Sequence, residues 1–215
     1  AFVFVHKLSE LLAEDDLSVT VESLTEIVSA IFGYKNFEML LGDFNFNNES
    51  LRALKYIEVN SNYFGGRLES ILSNDPVDSS LVDSNSISDY VYAMFEDMPY
   101  YYGSIESIAE NIYEEIQEDP YDIMESDSFS SAQAESDTTY DSIDFDGFKI
   151  QKRTGAVDVI ISGSASGSHY RDSGVGGRDM NFNLIAELPV RWGQFGLASS
   201  ETRVEAELRE YEDVF

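Results

Sequence analysis

The chain has 215 residues, no cysteine and a formal net charge of -28. Its 43% hydrophobic and 13% aromatic content is typical of a globular protein and excludes a wholly disordered one. The missing cysteines exclude a disulfide framework and a thiolate metal site. The negative charge disfavours direct binding to nucleic acid or to an anionic membrane, and favours basic proteins or cations as partners.

The charge is concentrated in one part of the chain. Between Leu68 and Phe148, 81 residues include 21 Asp and Glu and no Lys, Arg or His. The net charge is -9 for residues 1–85, -17 for residues 86–147 and -2 for residues 148–215. A halophilic protein would spread its carboxylates evenly, so the uneven distribution favours a surface that binds a basic partner.

Residues 1–76 are predicted to form a helical N-terminal region. Apolar residues recur at helical spacing in residues 7–16 and 20–32, and a short helix follows from Asn36 to Gly42. Residues 50–58 and 67–72 are predicted as further short helices, separated by a break at Gly65-Gly66. Residues 43–49 resemble the start of a calcium loop, but the positions that need Gly and Glu hold other residues, so we interpret them as a polar turn.

The stretch LTEIVSAIFGYKNFEMLLG resembles the helix-turn-helix-like pieces of small bacterial and phage helical domains. A DNA reader of that kind presents Lys, Arg, Asn or Gln to base edges from its second helix. This second helix carries Glu38 and has only Lys35 nearby. We therefore interpret the stretch as a packing module.

Residues 77–147 are predicted to form a highly acidic helical region that ends in a Ser/Asp-rich strap. Ile87, Val91, Met94 and Phe95 form one apolar stripe, and residues 104–118 place Ile105, Ile108, Ile112 and Ile116 inward. Residues 119–147 are poor in aliphatic residues, so we expect part of them to be an extended acidic strap.

All charged residues on the outward face of the helix predicted at residues 104–118 are carboxylates: Glu106, Glu110, Glu114, Glu115 and Glu118. Glu106, Glu110 and Glu114 lie four residues apart, which places their carboxylates about 6 Å from one another along the helix. Phosphates along one DNA strand are separated by a similar distance, about 6–7 Å. Ordinary solvated helices mix the two signs of charge to form ion pairs, and this helix does not.

Residues 148–215 are predicted to form a β-rich C-terminal region with an antiparallel sheet of three to five strands. A hairpin is expected near Thr154-Gly155, followed by a strand over residues 180–192 in which Pro189 favours an edge position. Residues 162–179 are rich in Gly and Ser and are predicted as a flexible loop. The fold class predicted for the whole chain is therefore α+β.

No pattern of catalytic residues stands out. The two histidines, His6 and His169, are far apart in the sequence, and no GxSxG elbow accompanies them. Asp158 lies on a predicted strand, but no lysine follows it in the order that metal-dependent nucleases use. We predict that the protein is not an enzyme, with no catalytic residues, no metal site and no cofactor.

The segment from Leu68 to Phe148 is rich in carboxylates and has no lysine. In this charge pattern, the chain resembles the phage and plasmid anti-restriction proteins that mimic DNA. The resemblance implies a protein that occupies the DNA-binding site of a defence nuclease or of another restriction or repair complex, in the cytoplasm of the host cell if it is phage-encoded. B-DNA carries one charge per ~1.7 Å, so 21 carboxylates match the charge of about 36 Å of duplex. A homodimer would extend this surface. The candidate partner-binding residues are Asp89, Glu96, Asp97, Glu106, Glu110, Glu114, Glu115, Glu118, Asp119 and Asp122.

Two alternatives remain open at the level of sequence. An acidic immunity protein, antitoxin or adaptor would bind one basic protein, with specificity supplied by Arg171, Arg178, Trp192 and the glycine-rich segment of the C-terminal region. A structural virion or surface protein would carry the acidic exterior without a dedicated target. A DNA mimic differs from both because duplex DNA should displace its partner.

Overall fold

A computed structural model of the chain describes residues 2–43, 54–58, 60–75, 84–96, 98, 100–169 and 172–209. It has an α+β fold that divides into two compact units. Unit 1 consists of Ala1–Ile108 and Pro189–Ser199, and unit 2 consists of Ala109–Leu188 and Ser200–Phe215. The unit boundaries therefore differ from the composition boundaries of the sequence, which fall at residues 76 and 147. No helix among the described residues is long and apolar enough to cross a membrane.

Among the described residues, helices interspersed with two short strands extend to Ser136, and the elements from Thr138 onward are all strands. The helices are α1 (Phe2–Glu14), α2 (Val21–Ile31), α3 (Phe37–Gly42), α4 (Ser61–Ser73), α5 (Ser84–Glu96), α6 (Ile105–Glu118), α7 (Tyr121–Met124) and α8 (Asp127–Ser136). The strands are β1 (Leu54–Glu58), β2 (Tyr101–Gly103), β3 (Thr138–Arg153), β4 (Ala156–His169), β5 (Asp172–Gly176), β6 (Met180–Trp192), β7 (Gly196–Ala198) and β8 (Glu201–Leu208).

Unit 1 is built around an apolar core between its helices. The helix α2 begins after Thr20, whose side chain accepts a hydrogen bond from the Ser23 N–H, and it is followed by Gly33 at a φ of 78°. Leu8, Ile27, Val28, Leu68, Ile87, Met94 and Trp192 are fully buried in this core. The apolar stripes predicted for residues 20–32 and 87–98 are therefore confirmed.

Two predictions for the N-terminal region are wrong. Residues 54–58 form the strand β1, parallel to β2 and antiparallel to β7. This strand is buried on both faces, and five residues are too few to show a period that separates strand from helix. The helix α4 continues through Gly65-Gly66, because Asn60 caps its start and Phe64, Leu68 and Ile71 are buried. These contacts outweigh a cost of about 1 kcal/mol per helical glycine. The polar turn expected at residues 43–49 lies mostly outside the described residues.

Unit 2 contains an antiparallel sheet in which β3 pairs with β4, and β6 pairs with β8. The hairpin between β3 and β4 turns at Thr154-Gly155 as predicted, with Gly155 at a φ of 80°. The strand β6 neighbours β4 on one side and β8 on the other, so the predicted edge position of Pro189 is wrong. Pro189 instead lies between the pairs Glu187↔Glu201 and Val190↔Leu197, where the ladder is interrupted.

Most of the predicted acidic strap and much of the predicted glycine-rich loop form regular helices and strands. Residues 119–147 form α7, α8 and the first part of β3, so the β-rich region begins at Thr138 rather than at residue 148. The Ser126 hydroxyl accepts a hydrogen bond from the Phe129 N–H at 3.2 Å and starts α8. Residues 162–169 continue β4, and residues 172–176 form β5.

Candidate functional site

The helix α6 separates apolar and acidic residues onto two faces. Its start is capped by Ser104, whose hydroxyl accepts a hydrogen bond from the Ser107 N–H at 3.1 Å. Ile108 and Ala109 are fully buried, and Ile112 is 3% exposed. The outward residues predicted from the sequence are all exposed: Glu106, Glu110, Glu114, Glu115 and Glu118.

The exposed carboxylates of unit 2 continue well beyond α6. Every Asp and Glu from residue 110 to residue 146 is exposed, and no Lys, Arg or His lies between them in the sequence. We call these thirteen residues the carboxylate array. Its members are Glu110, Glu114, Glu115, Glu118, Asp119, Asp122, Glu125, Asp127, Glu135, Asp137, Asp141, Asp144 and Asp146.

Arginines of unit 2 are engaged by carboxylates outside the array. Arg153 donates to Asp158 at 2.9 and 3.1 Å and also contacts Glu187. Arg203 lies 3.8 Å from Glu205, and Arg209 lies 3.7 Å from Asp179. Leaving Glu115 aside, the members of the array form no ion pair with any residue that the structure describes.

The array is carried by elements that pack through aromatic rings. The ring of Tyr113 on α6 lies 6.1 Å from Phe145 and 5.4 Å from Phe148, both on β3. The ring of Phe129 on α8 lies 5.3 Å from Tyr140. These aromatic contacts pack α6 and α8 against β3, so the helices that carry much of the array are held against the sheet.

The one-turn helix α7 adds apolar side chains to the acidic surface. Ile123 is fully buried, whereas Tyr121 is 58% exposed and Met124 is 46% exposed. A hydrogen bond from the Tyr121 hydroxyl to Glu125 raises the pKa of Tyr121 above its ordinary value. Exposed aromatic and Met side chains of this kind are frequent anchors of protein interfaces.

The structure places the predicted partner-binding residues in both units. Glu110, Glu114, Glu115, Glu118, Asp119 and Asp122 are brought together in unit 2. Asp89 and Glu96 are exposed on α5, and Glu106 is exposed on the first turn of α6; these three belong to unit 1. Asp97 lies outside the described residues.

Seven members of the array were not among the predicted residues. They lie on α8 and β3 or directly after α7 and α8, in the segment for which the sequence predicted in part an extended strap. The cap at Ser126 followed by Phe129 and Ala132 was the available signal for α8, since both apolar residues are buried. The neighbouring Tyr100, Tyr101 and Tyr102 belong to unit 1, where the ring of Tyr102 stacks on Phe95 at 4.5 Å.

The carboxylates that the structure describes form no metal-binding cluster. Among the described residues, no three His, Asp or Glu side chains lie close enough to hold a metal ion. Asp158, the strand carboxylate considered for metal chemistry, is buried and held by the Arg153 guanidinium. This hydrogen bond to Asp158 raises the pKa of Arg153. The pair is a structural ion pair of the sheet.

No protein-family model, curated protein sequence or solved structure matches this chain significantly.

Proposed function

We propose that unit 2 presents a surface that mimics DNA. Through this surface, the protein occupies the DNA-binding site of a basic protein, such as a defence nuclease. The observation that supports this function is the carboxylate array, thirteen exposed acidic residues on ordered elements without an interspersed basic residue. No catalytic residue is needed for such a function, because inhibition follows from occupying the site.

The spacing within the array is comparable to that of a nucleic acid backbone. Glu110, Glu114 and Glu118 follow one another at four-residue intervals on α6, so their carboxylates recur about every 6 Å. At one negative charge per ~1.7 Å of duplex, thirteen charges correspond to about 22 Å, or six to seven base pairs.

The array carries a cost for the isolated protein. Like charges four residues apart on a helix are unfavourable by about 0.2–0.5 kcal/mol per pair. A surface of one sign also opposes the compact state as a whole. A basic partner removes this repulsion when it binds. Solubility alone does not require so dense an array, so binding of such a partner gives the array a role.

A second function is favoured by one specific observation. Tyr121 and Met124 are exposed in the middle of the array, and a DNA backbone presents no apolar side chain of this kind. An adaptor or immunity protein that binds one basic protein would use such anchors for specificity. Duplex DNA would then fail to displace the partner.

The test is a displacement experiment on the whole protein. The protein is immobilised and exposed to nuclease-treated bacterial lysate at moderate salt, and bound proteins are eluted first with duplex DNA and then with high salt. We expect nucleases, helicases or restriction subunits in the DNA eluate. A single partner that only high salt releases would overturn the mimic and support the adaptor.

The array is tested with two variants of equal charge. Glu110→Gln with Glu114→Gln removes two exposed helical carboxylates from the array, and the matched control Glu14→Gln with Glu69→Gln removes two from helices of unit 1. We expect the first variant to lose capture of DNA-displaceable proteins by about tenfold, which is 1.4 kcal/mol, while the control retains it. Equal loss in both variants would show that total charge, rather than the array, determines binding.

A further inference from the structure

The strand β3 is a long edge strand. It lies at the end of the sheet order, and fourteen residue pairs join it to β4 on one side. No described strand pairs with its other side. Edge strands offer unpaired N–H and C=O groups to another chain, and proteins usually protect them with charges and bulges.

The charges on β3 are divided between its two halves. Asp141, Asp144 and Asp146 are exposed on the first half, and Lys149 and Lys152 are exposed on the second half. Asp144 and Lys149 form no ion pair with any described residue. Like charges along the whole edge would prevent two copies from pairing, whereas this division permits it.

We propose that β3 pairs with β3 of a second copy of this chain, antiparallel and about a two-fold axis. Antiparallel pairing places the acidic half of each strand beside the basic half of the other, so the edge is complementary to itself. A two-fold axis brings the same patch of both copies together, as in most protein dimers. The ladder would satisfy the backbone groups on the outer side of β3.

The bulge in β3 specifies the register. Asp146 is the extra residue between the pairs Phe145↔Gly163 and Gly147↔Ser162. Because of this insertion, Phe145 and Phe148 lie on the same face, and both rings contact Tyr113. With the two-fold axis between residues 146 and 147, apolar side chains of one copy lie opposite apolar side chains of the other. Acidic side chains then lie opposite basic ones.

In this register, Asp144 lies opposite Lys149 of the second copy, and Phe145 lies opposite its Phe148. Ile143 and Ile150, both half-buried, form the next pair on the apolar face. Opposite-charge pairs and aromatic pairs are the cross-strand contacts that stabilise sheets. Every contact occurs twice, because the axis relates the two strands.

The dimer must form despite a net charge of -28 on each copy. At physiological ionic strength the Debye length is about 8 Å, so distant charges repel weakly while directly opposed side chains still attract. The inference does not depend on the proposed function. If both hold, the dimer presents the array members from Glu110 to Asp137 twice, whereas the members on β3 lie at the interface. Such a dimer suits a two-fold symmetric target.

Sedimentation equilibrium of the whole protein, from low to high micromolar concentration at near-physiological salt, tests the dimer. We expect a monomer–dimer equilibrium for the wild type. Asp144→Lys and Lys149→Asp should each weaken the dimer by about tenfold, since each turns two attractions into repulsions. The double variant with both substitutions should restore it.

The control is Glu14→Lys, which makes the same change in charge as Asp144→Lys on an exposed helix of unit 1. It should leave the dimer at least as stable as in the wild type. A wild type that stays monomeric at every concentration overturns the proposal. A dimer that neither single substitution weakens, or that the double variant fails to restore, overturns the assignment to β3. Circular dichroism verifies that each variant is folded.

Discussion

At the scale of single residues, Tyr34 connects three segments of unit 1. Its hydroxyl accepts a hydrogen bond from the Gly193 N–H at 2.8 Å and donates to the Asp43 carboxylate. Its backbone carbonyl accepts from the Tyr63 hydroxyl at 3.1 Å. Gly193 has a φ of 52°, and a Cβ there would lie 1.9 Å from the Phe32 carbonyl oxygen. Only glycine fits this turn, and the hydroxyl of Tyr34 accepts the hydrogen bond of its N–H.

The substitution Tyr34→Phe should therefore destabilise the protein. It leaves the Gly193 N–H without its acceptor, which costs about 1–3 kcal/mol of unfolding free energy. Urea denaturation at neutral pH, followed by the fluorescence of the single tryptophan, Trp192, measures the change in unit 1. If the free energy of unfolding does not change within error, water replaces the Tyr34 hydroxyl as the acceptor for the Gly193 N–H without cost.

Tyr34 should also make the free energy of unfolding decrease at alkaline pH. Burial, and then the hydrogen bond to Asp43, raise the pKa of Tyr34 above its ordinary value of 10.0. The folded protein keeps this proton where the unfolded chain has released it, so the contribution of Tyr34 is complete below pH 10 and is lost as the pH rises above it. The same urea series at increasing alkaline pH should show a smaller loss for Tyr34→Phe than for the wild type. Burial likewise raises the pKa of Tyr102, so part of the alkaline loss should persist in the variant.

At the scale of elements, the pairing of β3 with β4 depends on glycines. A Cβ at Gly163 would lie 2.4 Å from the Asp144 carbonyl oxygen, and a Cβ at Gly167 would lie 1.9 Å from the Thr139 carbonyl oxygen. The bulges of β3 bring its backbone against β4 at these positions. The glycine-rich segment is therefore a requirement of strand contact rather than a sign of a flexible loop.

We expect Gly167→Ala to destabilise unit 2 by about 1–3 kcal/mol, because the contacting atoms are backbone and cannot rotate away. Gly66→Ala is the matched control, since a Cβ in that helical position has no neighbour within 4 Å. The control should be stabilised by up to about 1 kcal/mol, as alanine favours helix. Urea denaturation followed by far-UV circular dichroism compares the two. Equal effects of the two substitutions would contradict the close approach of β3 and β4.

At the scale of the whole molecule, the net charge of -28 makes stability depend on salt. Screening within a Debye length of about 8–10 Å weakens the repulsion between exposed carboxylates at moderate ionic strength. Functions that require attraction to anions, such as direct DNA binding, are opposed by the same field. A protein of this charge is most stable where salt or a basic partner neutralises it.

The melting temperature should therefore rise between low and near-physiological salt. The rise should be smaller for the variant with Glu110→Gln and Glu114→Gln than for the control with Glu14→Gln and Glu69→Gln, since the array is where like charges are densest. Differential scanning calorimetry across a salt series provides the comparison. A rise of the same size in both would show that the repulsion is spread over the whole surface.

Much of the site was accessible from the sequence because helical periodicity separates the faces of α6. The alternation of apolar and acidic residues over residues 105–118 identified the exposed glutamates without structural information. The part on α8 and β3 was missed because short segments rich in Ser and Asp have no strong period. Their structure depends on contacts with distant parts of the chain, such as the hydrogen bond from the Ser128 hydroxyl to the Val204 carbonyl at 2.8 Å.

The sequence by itself determined the sign and position of the charge, the α+β class, the helices of strong periodicity and the hairpin at Thr154-Gly155. These follow from local properties: composition, side-chain period and turn chemistry. Only the tertiary structure decided that Leu54–Glu58 is a strand, that Gly163 and Gly167 lie inside a sheet and that β3 is its edge. Each of these depends on which distant segment lies alongside, because strand pairing is a contact between residues far apart in the chain.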